Sequence, residues 1–301
     1  VVVGLATGEV KIQRSESDAP RGILNGHDLV ECVDLAPQDD NILASSGNDG
    51  TIRLWDLTFL AQLAVLTGHG SGVRSVQFSK LDPNVLGSGS EDDTVRFWRQ
   101  GDKGWVSQQG QHEHGNSVNT VAFSFHDASL MASASSDTKA ALWDVTTGRR
   151  KHDLSCDGFV HGVAFSPFEP RIVATAAADL QIWNISGDHL QTLPAQSPTS
   201  VFFSPFDEGQ VMTLQAGLVS RWDVREGRKL MELTIPGATK VFACPFDPDM
   251  VAAVCDGRCG VQFWSWSYQV CCVEIPRKCK ATTMAFFPDA GTLTKSAARV
   301  G

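Results

Sequence analysis

The sequence predicts an all-β chain folded as a closed ring of small antiparallel sheets, and three observations point there. Six tryptophans, Trp55, Trp98, Trp143, Trp183, Trp222 and Trp264, recur at intervals of 43, 45, 40, 39 and 42 residues. Runs of alternating apolar and polar residues lead into them, the period-two pattern of a half-buried strand. Clusters of Gly, Asn, Asp and Pro punctuate the intervals and divide each into four short strands. A four-stranded sheet of this size cannot bury both of its faces alone, so repeats of about forty residues gain stability by stacking around an axis.

The first complete unit shows the order of elements. Gly26-His27 precedes an apolar strand, Val30 to Leu35; a turn rich in Pro, Asp and Asn leads to a second strand, Ile42 to Ser46. A hairpin through Asn48-Asp49-Gly50 enters Thr51 to Asp56, whose alternation puts Ile52 and Leu54 on one face. Gln62 to Leu66 is the fourth strand, and Gly68-His69 opens the next unit. In this order of motifs the chain resembles the WD-repeat (WD40) family along essentially all 301 residues, and the resemblance implies a WD40 β-propeller.

The two ends set the blade count. Gly8 to Arg14 aligns with Gly50 to Asp56 as a third strand, with Gln13 at the tryptophan position and Gly22-Ile23-Leu24 as the fourth strand. Thr282 to Asp289 has the form of a first strand and its turn, and Thr292 to Ala298 that of a second, which would bring residues near Val10 beside Thr292. Val1 to Ala6 competes for that second place. The expectation is therefore a seven-bladed WD40 β-propeller, with one blade closed by strands from both termini and no open sheet edge between the ends. Residues 1–301 read as a single domain, alone or within a longer polypeptide that would hide any leader.

Three early units repeat four polar or aromatic residues: His27, Ser45, Asp49 and Trp55; His69, Ser88, Asp92 and Trp98; His114, Ser133, Asp137 and Trp143. A hydrolase needs the same hydroxyl, imidazole and carboxylate. Three copies in a row instead suit a structural role. The resemblance implies buried tetrads, in which imidazole links hydroxyl to carboxylate and the hydroxyl accepts from the indole. The later units depart: Ala177 to Leu180 is a shortened hairpin, Gln215-Ala216-Gly217 has no carboxylate, and Cys255 to Cys259 has altered spacing. That half reads as having lost the polar lock, either compensated by packing or reshaped for a partner.

The same half repeats Ser166-Pro167-Phe168, Ser204-Pro205-Phe206 and Cys244-Pro245-Phe246 after its first strands. In a propeller this turn shares a rim with the loop joining strands three and four. Phe168, Phe206 and Phe246, with Arg225 beside them, are thus candidate partner-binding residues, aromatic and arginine side chains being favoured interface anchors. The alternative places each ring against its own blade. Trp222-Asp223-Val224-Arg225 also resembles the tetrapeptide by which propeller substrate receptors engage the adaptor of a cullin-RING ubiquitin ligase. Upper loops around Phe159, His161 and Lys278 are the second candidate surface.

Composition bounds the function. Twenty-five basic against 34 acidic residues give a net charge of −9, which argues against nucleic acid as a partner; the cluster of Arg277, Lys278 and Lys280 reads as a solvated turn. No apolar run approaches the roughly 18 residues of a membrane-spanning helix. Six of eight cysteines fall between Cys244 and Cys279, yet only the loose Cys255-Cys259 step approximates a zinc spacing, so no metal or cofactor is expected. Unpaired positions such as Cys32 and Cys156 suit a reducing compartment. Phosphate-binding, zinc-protease and nucleophile-elbow motifs are missing. The expected function is a non-catalytic protein-interaction scaffold within a multi-subunit intracellular complex, cytoplasmic or nuclear, with the ligase receptor as the alternative.

Overall fold

The computed structural model describes residues 1–12, 22–108, 112–256, 260–275 and 280–286. These form seven antiparallel sheets, six built from consecutive strands and one from both ends of the chain. Blade 1 comprises Val30–Ala36, Asp39–Gly47, Ile52–Asp56 and Ala61–Leu66. The tryptophan sits on the third strand of each later blade as well: Thr94–Gly101, Lys139–Asp144, Leu180–Asn184, Leu218–Asp223 and Val261–Ser265. First strands pack against the first strands of their neighbours from blade 1 to blade 6, forming the inner wall of the ring. Blade 2 has a split outer edge, since Gly104–Ser107 and His112–Glu113 both pair with its third strand.

Blade 7 closes the ring in the strand order Ala281–Ala285, Val2–Leu5, Glu9–Ile12, Gly22–Asn25. This settles the competition at the second position. Val2 lies opposite Ile12 on one side and Ala285 on the other, and Val10 faces Gly4 rather than the neighbourhood of Thr292. Thr292 to Ala298 and Gln13 lie outside the described residues. The physical reason is side-chain fit: Val2, Val3 and Leu5 have no solvent exposure, and a Cβ on Gly4 would stand 2.6 Å from Val30 of blade 1. Gly8, at φ +79°, turns this strand into the next so close to blade 1 that a Cβ would lie 1.8 Å from the His27 carbonyl oxygen. Only glycine fits there.

Polar side chains stitch the inner strands together across blades. Asp34 accepts the Phe78 amide, Gln77 accepts the Phe123 amide, and Lys240 of blade 6 donates to the Glu31 carbonyl of blade 1 at 2.9 Å. Such bonds satisfy backbone groups that would be costly to bury unpaired. Among the described residues no helix is long and apolar enough to cross a membrane.

Candidate functional site

The three tetrads occupy the upper rim, where second and third strands join. In blade 1, His27 Nδ1 lies 3.1 Å from Asp49, His27 Nε2 lies 2.8 Å from Ser45 Oγ, and Trp55 Nε1 donates to the same hydroxyl at 2.8 Å. Blade 2 repeats this with His69, Asp92, Ser88 and Trp98 at 2.9, 2.8 and 2.9 Å. Blade 3 does so with His114, Asp137, Ser133 and Trp143 at 2.8, 2.7 and 2.7 Å. A carboxylate only accepts, so Nδ1 carries the imidazole proton, Nε2 accepts the seryl proton, and the seryl oxygen accepts from the indole.

This is the connectivity of a hydrolytic triad without its access. Ser45, Ser88 and Ser133 have no exposed surface, and the indole already occupies the side of Oγ that a nucleophile would present. The carboxylates face inward to backbone as well: Asp92 accepts the Gly70 and Thr94 amides, and Asp137 accepts those of Gly115 and Lys139. The tight hairpins force Asp93 and Thr138 to positive φ of 67° and 71°, the place Gly50 fills in blade 1 at 74°. That backbone is strained for a side chain, and the tetrad bonds help hold it.

Burial lowers the pKa of His27, His69 and His114, more than their aspartates raise it. Burial alone would raise Asp49, Asp92 and Asp137, but hydrogen bonds and the neighbouring imidazoles outweigh it and hold all three below the usual range. As pH falls through about 6.5 the unfolded chain takes up imidazole protons before the folded one does. The stabilisation from the neutral imidazoles, complete above that value, is thus lost on acidification, and the lowered carboxylates extend the loss further into acid. Thermal melts from about pH 7.5 down to 5 should show a steadily falling midpoint; a flat profile would contradict buried neutral imidazoles.

Asp92→Ala should cost about 1–3 kcal/mol in a denaturant titration, because it strands the His69 imidazole and two amides. Asp256→Ala should cost less. Asp256 is half-exposed, and its contact is a solvated ion pair to Lys280 at 2.8 Å.

The later blades retain more of the lock than their hairpins suggest. Trp183 donates to Thr175 and Trp222 to Thr213, each at 3.0 Å, so threonine keeps the strand-two acceptor in blades 4 and 5 and only the imidazole and carboxylate are gone. In blade 6 Ala253 takes the hydroxyl position, and Trp264 donates instead to Gln262 at 3.0 Å. Trp266, two residues on, is the more deeply buried indole at 2% exposure, filling the place of Leu57 and Val145. Spacing hid this: Thr175 and Thr213 stand eight and nine residues before their tryptophans, against ten for Ser45, and only the strand register brings the three into line. Cys255 is buried, with Sγ 3.6 Å from Gln262, while Cys259, Cys279 and Lys278 lie outside the described residues. Among the described residues no group of three His, Cys, Asp or Glu could hold a metal. Burial raises the thiol pKa of Cys32 and Cys244, and that of Cys156 to about 11, which leaves them poor nucleophiles.

On the lower rim the turns after the first strands share one construction. The Ser79, Ser124, Ser166 and Ser204 hydroxyls each accept the amides two and three residues on. This raises the intervening side chains into solvent: Phe168 and Phe206 are each 41% exposed, as is Phe125 of blade 3. Phe246 differs. It is half-buried and packs edge-on against Phe286 of blade 7 at 6.3 Å. Arg225 bridges two blades, its Nη2 lying 3.1 Å from Glu169 and 2.6 Å from Glu208. These carboxylates raise its pKa further, chiefly through the Glu169 hydrogen bond.

Residues 19–56, 60–99 and 106–144 match the family model of the WD domain, G-beta repeat. With seven radially stacked sheets, that decides the family. The chain is a WD-repeat β-propeller. The matched repeats run from the outer strand of one blade into the first three of the next, so each links two sheets of the propeller, and the third ends with the last tetrad at Trp143. Fifty-nine residues are 39% identical to the pre-mRNA-splicing factor PRP46 of Kluyveromyces lactis. That stretch is 19% of this WD-repeat chain and 14% of the relative, so the likeness spans about one seventh of the relative's length.

Proposed function

We propose that this WD-repeat propeller is a non-catalytic protein-interaction scaffold, a domain or subunit of a larger intracellular assembly. The observation that supports it best is the contrast between its two sets of notable side chains. Each Ser-His-Asp set is consumed in holding a hairpin, with its hydroxyl inaccessible, whereas aromatic rings stand exposed on consecutive lower turns. Partly exposed rings repeated along one rim are the kind of side chain that anchors protein interfaces. The likeness to the splicing factor covers 59 residues, about one and a half repeats. It supports the scaffold class and no particular assembly or compartment.

The protein isolated under mild conditions should sediment well above the 32.5 kDa of this chain, with stoichiometric partners in the peak. Sedimentation as a lone chain would sink the proposal. The ligase-receptor alternative requires Arg225 to leave Glu169 and Glu208 for an adaptor. In that case a cullin and its adaptor would co-purify, and Arg225→Ala would remove them.

A further inference from the structure

We propose that the lower rim of blades 3 to 5 is a docking surface for a basic segment of a partner protein, one carrying lysine or arginine interleaved with apolar side chains. This rests on the scaffold reading and names the chemistry of the partner. The first observation is the asymmetry of exposure. Phe59, Leu81, Phe125, Phe168, Phe206 and Tyr268 stand on lower turns of six consecutive blades with at least 41% of their surface exposed, whereas the upper loops expose Phe159 alone among the large apolar side chains of the described residues.

Charge is the second observation, and it sets the sign of the partner. Segments 124–129, 144–148, 166–171, 184–188, 204–209 and 223–228, the lower turns of blades 3 to 5, hold eight carboxylates against three arginines. That excess of five negative charges is more than half of the chain's −9. An anionic membrane or nucleic acid would be repelled from such a rim, while a cationic segment is attracted to it. In blades 4 and 5 an exposed ring is followed directly by carboxylate, as Phe168-Glu169 and Phe206-Asp207-Glu208, and in blade 3 Asp127 lies two residues after Phe125. Ring face beside carboxylate is the pairing that holds a guanidinium or ammonium group through cation–π attraction and a charge-assisted hydrogen bond.

The third observation is that the rim already receives such a group. Glu169 and Glu208, from different blades, converge on the guanidinium of Arg225 across the seam. A partner's arginine would compete with Arg225 for this pair of carboxylates. Phe246, turned onto Phe286, falls outside this arc, and Phe125 takes its place.

Selection of a random peptide library displayed on phage against the folded chain tests the inference. The enriched peptides should carry a net positive charge with at least one aromatic or leucine side chain. Their binding should weaken several-fold between about 50 and 500 mM salt, as a charge-assisted contact requires. Phe125→Ser, Phe168→Ser and Phe206→Ser combined should reduce affinity at least tenfold. Asp127→Asn with Glu208→Gln, which leave the rings untouched, should reduce it several-fold and so cover the case in which the serine variant loses its fold. Arg225→Ala frees two carboxylates and should preserve or strengthen binding. Enrichment of acidic peptides, binding that survives both variants, loss on Phe159→Ser instead, or dimerisation of the chain through this rim would each overturn the proposal while leaving a scaffold in place. A library yielding no peptide for either face would overturn both.

Discussion

A chain lacking residues 1–14 should lose cooperative unfolding altogether. The deletion removes Val2–Leu5 and Glu9–Ile12, the two middle strands of blade 7, and leaves its first and fourth strands without a ladder between them. Val2, Val3, Leu5, Val10 and Ile12 are each at most 1% exposed. At about 1.5–3 kcal/mol for each fully buried side chain the loss is about 10 kcal/mol, comparable with the 5–15 kcal/mol that stabilises a whole domain. The opening would also expose the flank of blade 1, because Val30 packs on Gly4 and Thr282 donates to the Val30 carbonyl. Calorimetry or circular dichroism would detect the effect as a missing thermal transition. A truncated chain melting like the intact one would rule out closure by the terminal strands.

Trp143→Ala is expected to cost about 3–5 kcal/mol, the range for truncating a buried aromatic side chain. The ring is 2% exposed, lies edge-on to Phe97 at 6.4 Å and to His114 at 6.0 Å, and has the Arg150 guanidinium 4.7 Å above it. Removing it also leaves the Ser133 hydroxyl without its 2.7 Å donor. Trp264→Ala should cost clearly less, since that ring is half-buried and bonded to the neighbouring Gln262 rather than into a tetrad. Urea titrations of the two variants side by side provide the comparison. Equal losses would show that blade 6 is locked as firmly as blade 3.

Much of this architecture was legible because it is periodic. The tryptophan interval and the alternation of the third strands each report a local requirement met from blade 1 to blade 6, and the Gly-His steps mark the entry to blades 1 and 2. What escaped was non-periodic or long-range. The choice between Val2–Leu5 and Thr292–Ala298 depended on a fit between Gly4 and Val30, which no repeat encodes. Likewise the threonines that replace serine in blades 4 and 5 become visible only when strand registers are known, as does Trp266 in the place of Leu57. On the lower rim Phe168 and Phe206 were readable from the Pro-Phe repeat. Phe125 was not, since its turn lacks the proline, and the engagement of Phe246 by Phe286 joins residues from different blades.

The blades that kept their tetrads and those that lost them divide the ring. Blades 1 to 3 hold their upper hairpins by imidazole and carboxylate, whereas in blade 5 the pattern of charges changes. Arg221 takes the position filled elsewhere by Leu54 and Phe97, pairs with Asp207 and lies 6.0 Å from the Trp266 ring of blade 6. Charged pairing has replaced apolar packing at that seam.

Hydrogen–deuterium exchange on the protein, free and in its native complex, tests the central claim most directly, because one experiment reads every turn of both rims. A scaffold that binds through its lower face should show new protection in segments 124–129, 166–171 and 204–209, with the upper hairpins around Asp49, Asp92 and Asp137 exchanging alike in both states. Protection confined to those upper hairpins, or to the loop around Phe159, would contradict the account.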